Sequence, residues 1–176
     1  RIRALRDIGE EVKAGALGGF VEHEGNLSFE PGDDAWIFQN AIACGDAYVD
    51  KGPRLWNESV ACHKAYVSHG AILTDRSRAE DDAYLRGGLL KESARVSGSS
   101  MVLESPDNRL VPVLSGQCAV YGTVQGNVRL EGTTVIISGE MKDVMDKIIA
   151  KHPEYKSYAQ AFAGVVERGI RVFEEE

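Results

Sequence analysis

The chain is poor in the features that mark several common functions. Lys and Arg number 20 against 27 Asp and Glu, giving a net charge of −7, and no basic run occurs. A phosphate-backbone footprint is missing, so no nucleic-acid partner is expected. The acidity reads as solubility, or as a decoy surface competing with nucleic acid for a basic partner. No apolar stretch approaches the roughly 20 residues that span a bilayer, so no membrane partner is expected. No signal peptide is recognised. The 3 cysteines, an odd number, suit a reducing, cytoplasmic setting rather than a disulfide framework. The Gly18-Gly19 pair has neither P-loop nor dinucleotide-fold context, and no nucleophile elbow or Ser-His-Asp pattern occurs.

What is present is a beat of six. From Ala35 to Ala83 every sixth residue is small: Ala35, Ala41, Ala47, Pro53, Ser59, Ala65, Ala71, Ser77, Ala83. Two places after each stands an apolar residue: Ile37, Ala43, Val49, Leu55, Ala61, Val67, Leu73, Ala79, Leu85. Sorted in threes, the hexads show a period of 18, with Tyr48, Tyr66 and Tyr84 in one column and Gly52, Gly70 and Gly88 in another. Three short strands and three corners per coil give this period. Side chains alternate across a strand, so positions one and three of each hexad point inward, and glycine supplies the positive φ of a tight corner. The pattern predicts a mainly β fold, a triangular parallel β-helix.

The spacing divides the chain into a β cap at 1–34, a β-helix at 35–138 and a C-terminal helical hairpin at 139–176. The cap would cover a sheet end that otherwise invites aggregation. The register slips by one near Ser93, and residues 104–116 read as a loop inserted at a corner. From Gly139 the apolar spacing becomes helical, with Ser138 as the N-cap. His152-Pro153 ends that helix. A second helix starts at Pro153 or at Ser157, where Ser157 and Gln160 form a capping-box pair. It runs to about Phe173 with an apolar face of Tyr155, Tyr158, Phe162, Val165, Val166 and Phe173.

Position two of each hexad points outward. It reads Trp36, Ile42, Tyr48, Arg54, Val60, Tyr66, Ile72, Arg78, Tyr84, mostly large and apolar. Such a face is expected to be covered. The covers weighed are the C-terminal helices and a second subunit, in a homodimer or homotrimer. A protein target or a ligand is the further alternative. The candidate interface is therefore Tyr48, Tyr66, Tyr84, Trp36, Ile42, Val60 and Ile72.

Candidate chemistry is confined to the corners. His63 and His69 occupy corner positions, and Asp81, one coil above His63, stands where it can orient the imidazole. A corner His could act as general base toward an acceptor attacking an acyl thioester. The structural reading is a pair of solvated corner residues. Cys44, Cys62 and His63 stack in neighbouring columns, but C–x₁₇–C–H is no known metal spacing, so packing is expected and no metal. A disulfide between Cys44 and Cys62 conflicts with side chains that point the same way.

The hexads resemble the hexapeptide-repeat family, whose prisms are left-handed and which includes acyltransferases that use acetyl-CoA or another acyl-CoA. A left-handed β-helix is implied. The opening adds specificity. Arg1-Ile2-Arg3-Ala4-Leu5 and Asp7, Val12 through Glu22 (VKAGALGGFVE), Glu24, Asn26-Leu27-Ser28 and Ala35-Trp36-Ile37 resemble a group of phage- and prophage-associated hexapeptide-repeat proteins. The likeness covers roughly residues 1–100, and the Asn-Ala corners of that group survive as Asn40-Ala41 and Asp46-Ala47. It implies phage origin and a host-cell cytoplasmic setting. The leading expectation is an oligomer without cofactor or catalysis that binds a host protein or a small signalling molecule, as in counter-defence. The alternatives are an acyl-CoA-dependent O- or N-acyltransferase using His63 or His69 with Asp81, and a structural or assembly protein.

Overall fold

A computed structural model describes residues 1–174. Residues 1–136 form one compact unit and 137–176 a second. The first is a three-sided parallel β-solenoid, its strands stacked in sheets of seven, five and six. Each coil gives one short strand to each side. Tyr48 pairs with Tyr66 and Tyr66 with Tyr84 in parallel register.

The predicted inward columns form the core. Ile37, Leu55, Leu73, Leu90 and Leu114 line one side, Val49, Val67, Leu85 and Val102 the second, and Ala43, Ala61, Ala79, Val96 and Val120 the third, all fully buried. Burial of each large member contributes about 1.5–3 kcal/mol. Four serines among the small and corner positions face in and donate to backbone carbonyls: Ser59 to Leu73, Ser68 to Leu85, Ser77 to Leu90 and Ser115 to Leu130.

The corners are left-handed at position five of the hexad. Gln39, Lys51, Asn57, His63, His69, Asp75 and Asp81 all have φ between 51° and 61°, and Gly45 and Gly87 continue the series. Asn, Asp and His are the residues that tolerate this region best among those with a Cβ. Gly52 and Gly70 extend one corner with a second positive φ.

Two expectations need correction. The register slip is at Gly87-Gly88, not near Ser93. Tyr66 pairs with Tyr84, 18 residues on, but Ile72 already pairs with Leu89, 17 on. Gly88 therefore stands in the small-residue series above Ala71, not in the Gly52/Gly70 column, and its carbonyl receives Ile72 N–H as that of Ala71 receives Arg54 N–H. The insertion is also shorter than 104–116. Val113–Leu114 is a strand paired with Leu89–Leu90, so the loop spans 104–112.

The N-terminal segment joins the first coil. Phe20–Val21 adds to the seven-stranded sheet beside Ile42–Ala43. Gly19 N–H donates to Ile37 O at 2.7 Å, and a Cβ on Gly18 would lie 2.6 Å from the same oxygen. Asn26, fully buried, ties cap to coil. Its Oδ1 accepts from Glu22 N–H and His23 N–H, and its Nδ2 donates to Gly45 O and Ala47 O.

The second unit is a pair of helices, α1 (Gly139–Lys151) and α2 (Tyr158–Glu174). Ser138 Oγ caps α1 by accepting from Met141 N–H. Ser157 Oγ accepts from Gln160 N–H, while Gln160 Oε1 accepts from Lys156 N–H, so the predicted box closes one residue early. Met145 and Ala161 are buried, whereas Val144, Tyr158, Val165 and Val166 are exposed. The side chain of Phe173 lies outside the described residues.

Candidate functional site

The corner positions are linked to one another by a repeated hydrogen bond. A left-handed corner leaves its own N–H pointing along the solenoid axis, away from any strand. At several corners a side chain one coil below accepts it. Gln39 Oε1 accepts from Asn57 N–H at 2.9 Å and Asp75 Oδ2 from Glu92 N–H at 2.9 Å. Asp81 Oδ2 accepts from Gly98 N–H at 2.9 Å and Glu92 Oε2 from Gly116 N–H at 2.6 Å. The cap starts two such stacks, with Glu22 on Gly45 N–H and Asp33 on Lys51 N–H, both at 2.7 Å. Every recipient has positive φ. Sequence reasoning missed this ladder. Its signal is an acceptor side chain recurring at position five, one coil apart.

His63 belongs to the ladder. Asp81 N–H donates to its Nδ1 at 3.2 Å, and Asp81 Oδ1 lies 3.2 Å from the same nitrogen. The predicted His63–Asp81 pairing is therefore present, in a geometry that does not favour a base. A general base needs Nδ1–H held by the carboxylate and a lone pair free on Nε2. An Nδ1 that accepts an amide proton places the neutral ring's own proton on Nε2. Asp81 is also drawn away. Ser97 Oγ donates to Oδ2 at 2.6 Å, and with the Gly98 amide and the nearby imidazole this holds the carboxyl below its ordinary range.

His69 stands on another corner, half-buried, with Nδ1 2.9 Å from Ser68 Oγ. Burial first, then the Arg86 and Lys51 charges, push its pKa down. Asp81 is not its partner. The acids whose charge reaches it are Glu104, which pairs with Arg86 at 3.1 Å, and Asp50. Close by, the 104–112 loop and the five-stranded sheet enclose a groove of about 520 Å³ lined by Tyr84, Met101, Glu104, Pro106, Arg109 and Gln125.

The outward tyrosines form one stack. Ring centroids are 5.9 Å apart for Tyr48–Tyr66 and 5.2 Å for Tyr66–Tyr84, within the range of favourable aromatic pairs. Lys51 Nζ donates to Tyr66 Oη at 2.8 Å and sits 3.1 Å from Asp50. Burial, the larger influence, and the Asp50 carboxylate raise the Tyr66 pKa, while Lys51 opposes them. Tyr48 is exposed and Tyr66 and Tyr84 half-buried. Met101 continues the column.

The remaining outward residues separate. Ile42 and Ile72 are exposed and Val60 is half-buried. Trp36 is not on the open face. It is 4% exposed because the N-terminal segment lies over it, leaving no space for a Cβ on Gly18. Two further clusters had no forecast. Phe38 and Trp56 stack at 3.5 Å with a 5° interplanar angle. Glu80, buried, is held between Arg78 at 2.9 Å and Arg95.

The cysteines are free. Burial, then Glu80, pushes the Cys62 thiol up to about 11, and burial, then Glu22, raises that of Cys44. Neither is poised as a thiolate. Among the described residues no three His, Cys, Asp or Glu side chains converge as metal ligands would, and no helix is long and apolar enough to cross a membrane. No protein family, curated protein or solved structure matches the chain.

Proposed function

We propose that the chain is a homo-oligomeric β-helix protein that acts by binding, without intrinsic catalysis, through its tyrosine face. The observation that carries this reading is the Tyr48–Tyr66–Tyr84 stack, continued by Met101 on a flat parallel sheet. A solvated face would favour polar residues there. Stacked rings are pre-ordered and lose little freedom on contact. The second copy would complete a dimer or trimer. A host macromolecule is the target that the phage-like opening block implies, in the host cytoplasm.

Sedimentation velocity tests the reading. The wild type is expected above monomer mass, and Tyr66→Phe keeps that mass. Tyr66→Asp, which places a carboxylate beside Asp50, is expected to give monomer with the far-UV circular dichroism of the wild type. A wild type that stays monomeric at all concentrations, or a Tyr66→Asp variant of unchanged mass, overturns it.

The acyltransferase is the second reading, favoured by one observation, the groove of about 520 Å³ whose wall includes Arg86 and Glu104, the charges that act on His69. Acetyl-CoA raising the melting temperature of the wild type but not of a His69→Asn variant would support it over the first.

A further inference from the structure

A separate apolar concavity lies at the other end of the solenoid from that groove, under the N-terminal segment. It encloses about 380 Å³. Ala4, Ile8, Leu27 and Trp36 are buried in its walls, at 3–7% exposure. Leu5 and Phe29, 88% and 69% exposed, stand at its rim. A small-molecule site has this size and this mainly apolar lining with a few polar groups at set places.

The charged lining residues are Arg3, Arg6 and Asp33. Asp33 is turned to the corner above. Its carboxylate accepts from the amides of Ala35, Lys51 and Gly52 at 2.7–2.9 Å. Arg6 is fixed by two backbone carbonyls, those of Asp7 at 3.0 Å and Asp33 at 2.6 Å, with Asp34 only at 3.9 Å. The side chain of Arg3 has no hydrogen bond or ion pair among the described residues. The rim thus offers cationic donors, while its one acid is already saturated. This stands out in a chain of net charge −7.

We infer that this pocket binds a small amphipathic carboxylate, its apolar body against Trp36 and Leu27 and its anionic head on Arg3 and Arg6. The tyrosine face plays no part in this inference, and either proposal can fail alone. Arginine forks match carboxylate geometry and charge-assisted bonds are the stronger ones. An exposed Leu5 and Phe29 would close over the body of the ligand.

Trp36 supplies the readout. With Trp56→Phe as background, Trp36 is the sole tryptophan, since the chain has 2. Titration with decanoate is expected to give a saturable change in its emission at one equivalent. Decanol, with the same chain and no charge, is expected to bind about tenfold or more weaker. Arg3→Gln with Arg6→Gln should erase that preference without abolishing decanol binding. Leu5→Glu, at an exposed position that the fold tolerates, should lose decanoate and keep the unliganded spectrum. Absence of saturable change with decanoate overturns the inference, and so does equal affinity for decanol. A Trp36 change that follows protein concentration alone, with a rise in mass that Leu5→Glu removes, would assign the pocket to a second copy and overturn it as well.

Discussion

At the scale of single residues, His63 shows how a fold can recruit a side chain that looks catalytic. The corner imposes φ 60° on it, a region that costs an ordinary L-residue about 1–2 kcal/mol. The same corner demands an acceptor for the amide above. Asn meets both demands, through its tolerance of this region and its carbonyl oxygen. Ala meets neither. His63→Asn should therefore match the wild type within about 0.5 kcal/mol in urea unfolding at neutral pH. His63→Ala should lose about 1 kcal/mol, the larger share of any bond energy being recovered from water because the side chain is 64% exposed. Equal stability of Ala and wild type, with Asn the weaker, would remove the ladder as the reason for the histidine. Lys51, Asn57 and His69 hold the same corner conformation without accepting from the amide of the corner above, so the acceptor role is frequent and not universal.

At the scale of the coil, glycines at corners differ in what they tolerate, and the difference locates where coils press on one another. Gly52 (φ +85°) has nothing within 4 Å of a Cβ placed on it, so Gly52→Ala meets only backbone strain, about 1 kcal/mol. Gly116 (φ +73°) has the backbone of Gly132 at 2.6–2.8 Å. Ala there must push the next coil away, and backbone cannot swing aside as a side-chain tip does. About 3 kcal/mol or more is expected. Urea midpoints of the two variants check the order, and a Gly116→Ala as mild as Gly52→Ala would mean that the last coil is loosely seated. The same contrast explains what the sequence revealed of the coils. Strand positions announce themselves because small and apolar residues recur at fixed places, so Leu73, Val67 and Ala79 could be assigned inward from spacing alone. Corners are written in φ, which several residue types satisfy, so the Gly87-Gly88 shortening was placed a few residues late. Val113 and Leu114 were hidden because the loop before them has no fixed length. Trp36 was assigned outward correctly by parity, but its cover comes from residues 1–19, whose irregular path carries no period. The His63–Asp81 pairing was legible from the 18-residue spacing, whereas the direction of its hydrogen bond was not, because it depends on which atom the corner amide meets.

At the scale of the whole solenoid, stability is close to a sum over coils and the contacts between neighbours. Sequence separation along the chain then matters less than phase. Removal of residues 55–72 takes out 18 residues, joining Arg54 to Leu73. Leu73 then lies above Ile37 where Leu55 was, Asp75 lies above Gln39 in place of Asn57, Tyr84 stacks on Tyr48, and the Arg78–Glu80–Arg95 cluster is kept. Arg54 keeps its pairing with Glu11 in the cap. The shortened chain should fold cooperatively, with β-type circular dichroism and a urea m-value reduced in proportion to the surface removed. Removal of residues 55–71 differs by a single residue. Ile72 then takes the inward place, Leu73 turns outward, and the side chains that follow, past the next corner as well, shift by one place. Polar and bulky residues such as Arg78 would meet the core in place of Ala79. That variant should be insoluble or unfolded. If both deletions fold equally well, the corners absorb phase errors freely and the inward columns do not set the register. If neither folds, the coils are not interchangeable, and the corner ladder or the Phe38–Trp56 stack, which both deletions break, carries more of the fold than burial of the columns does.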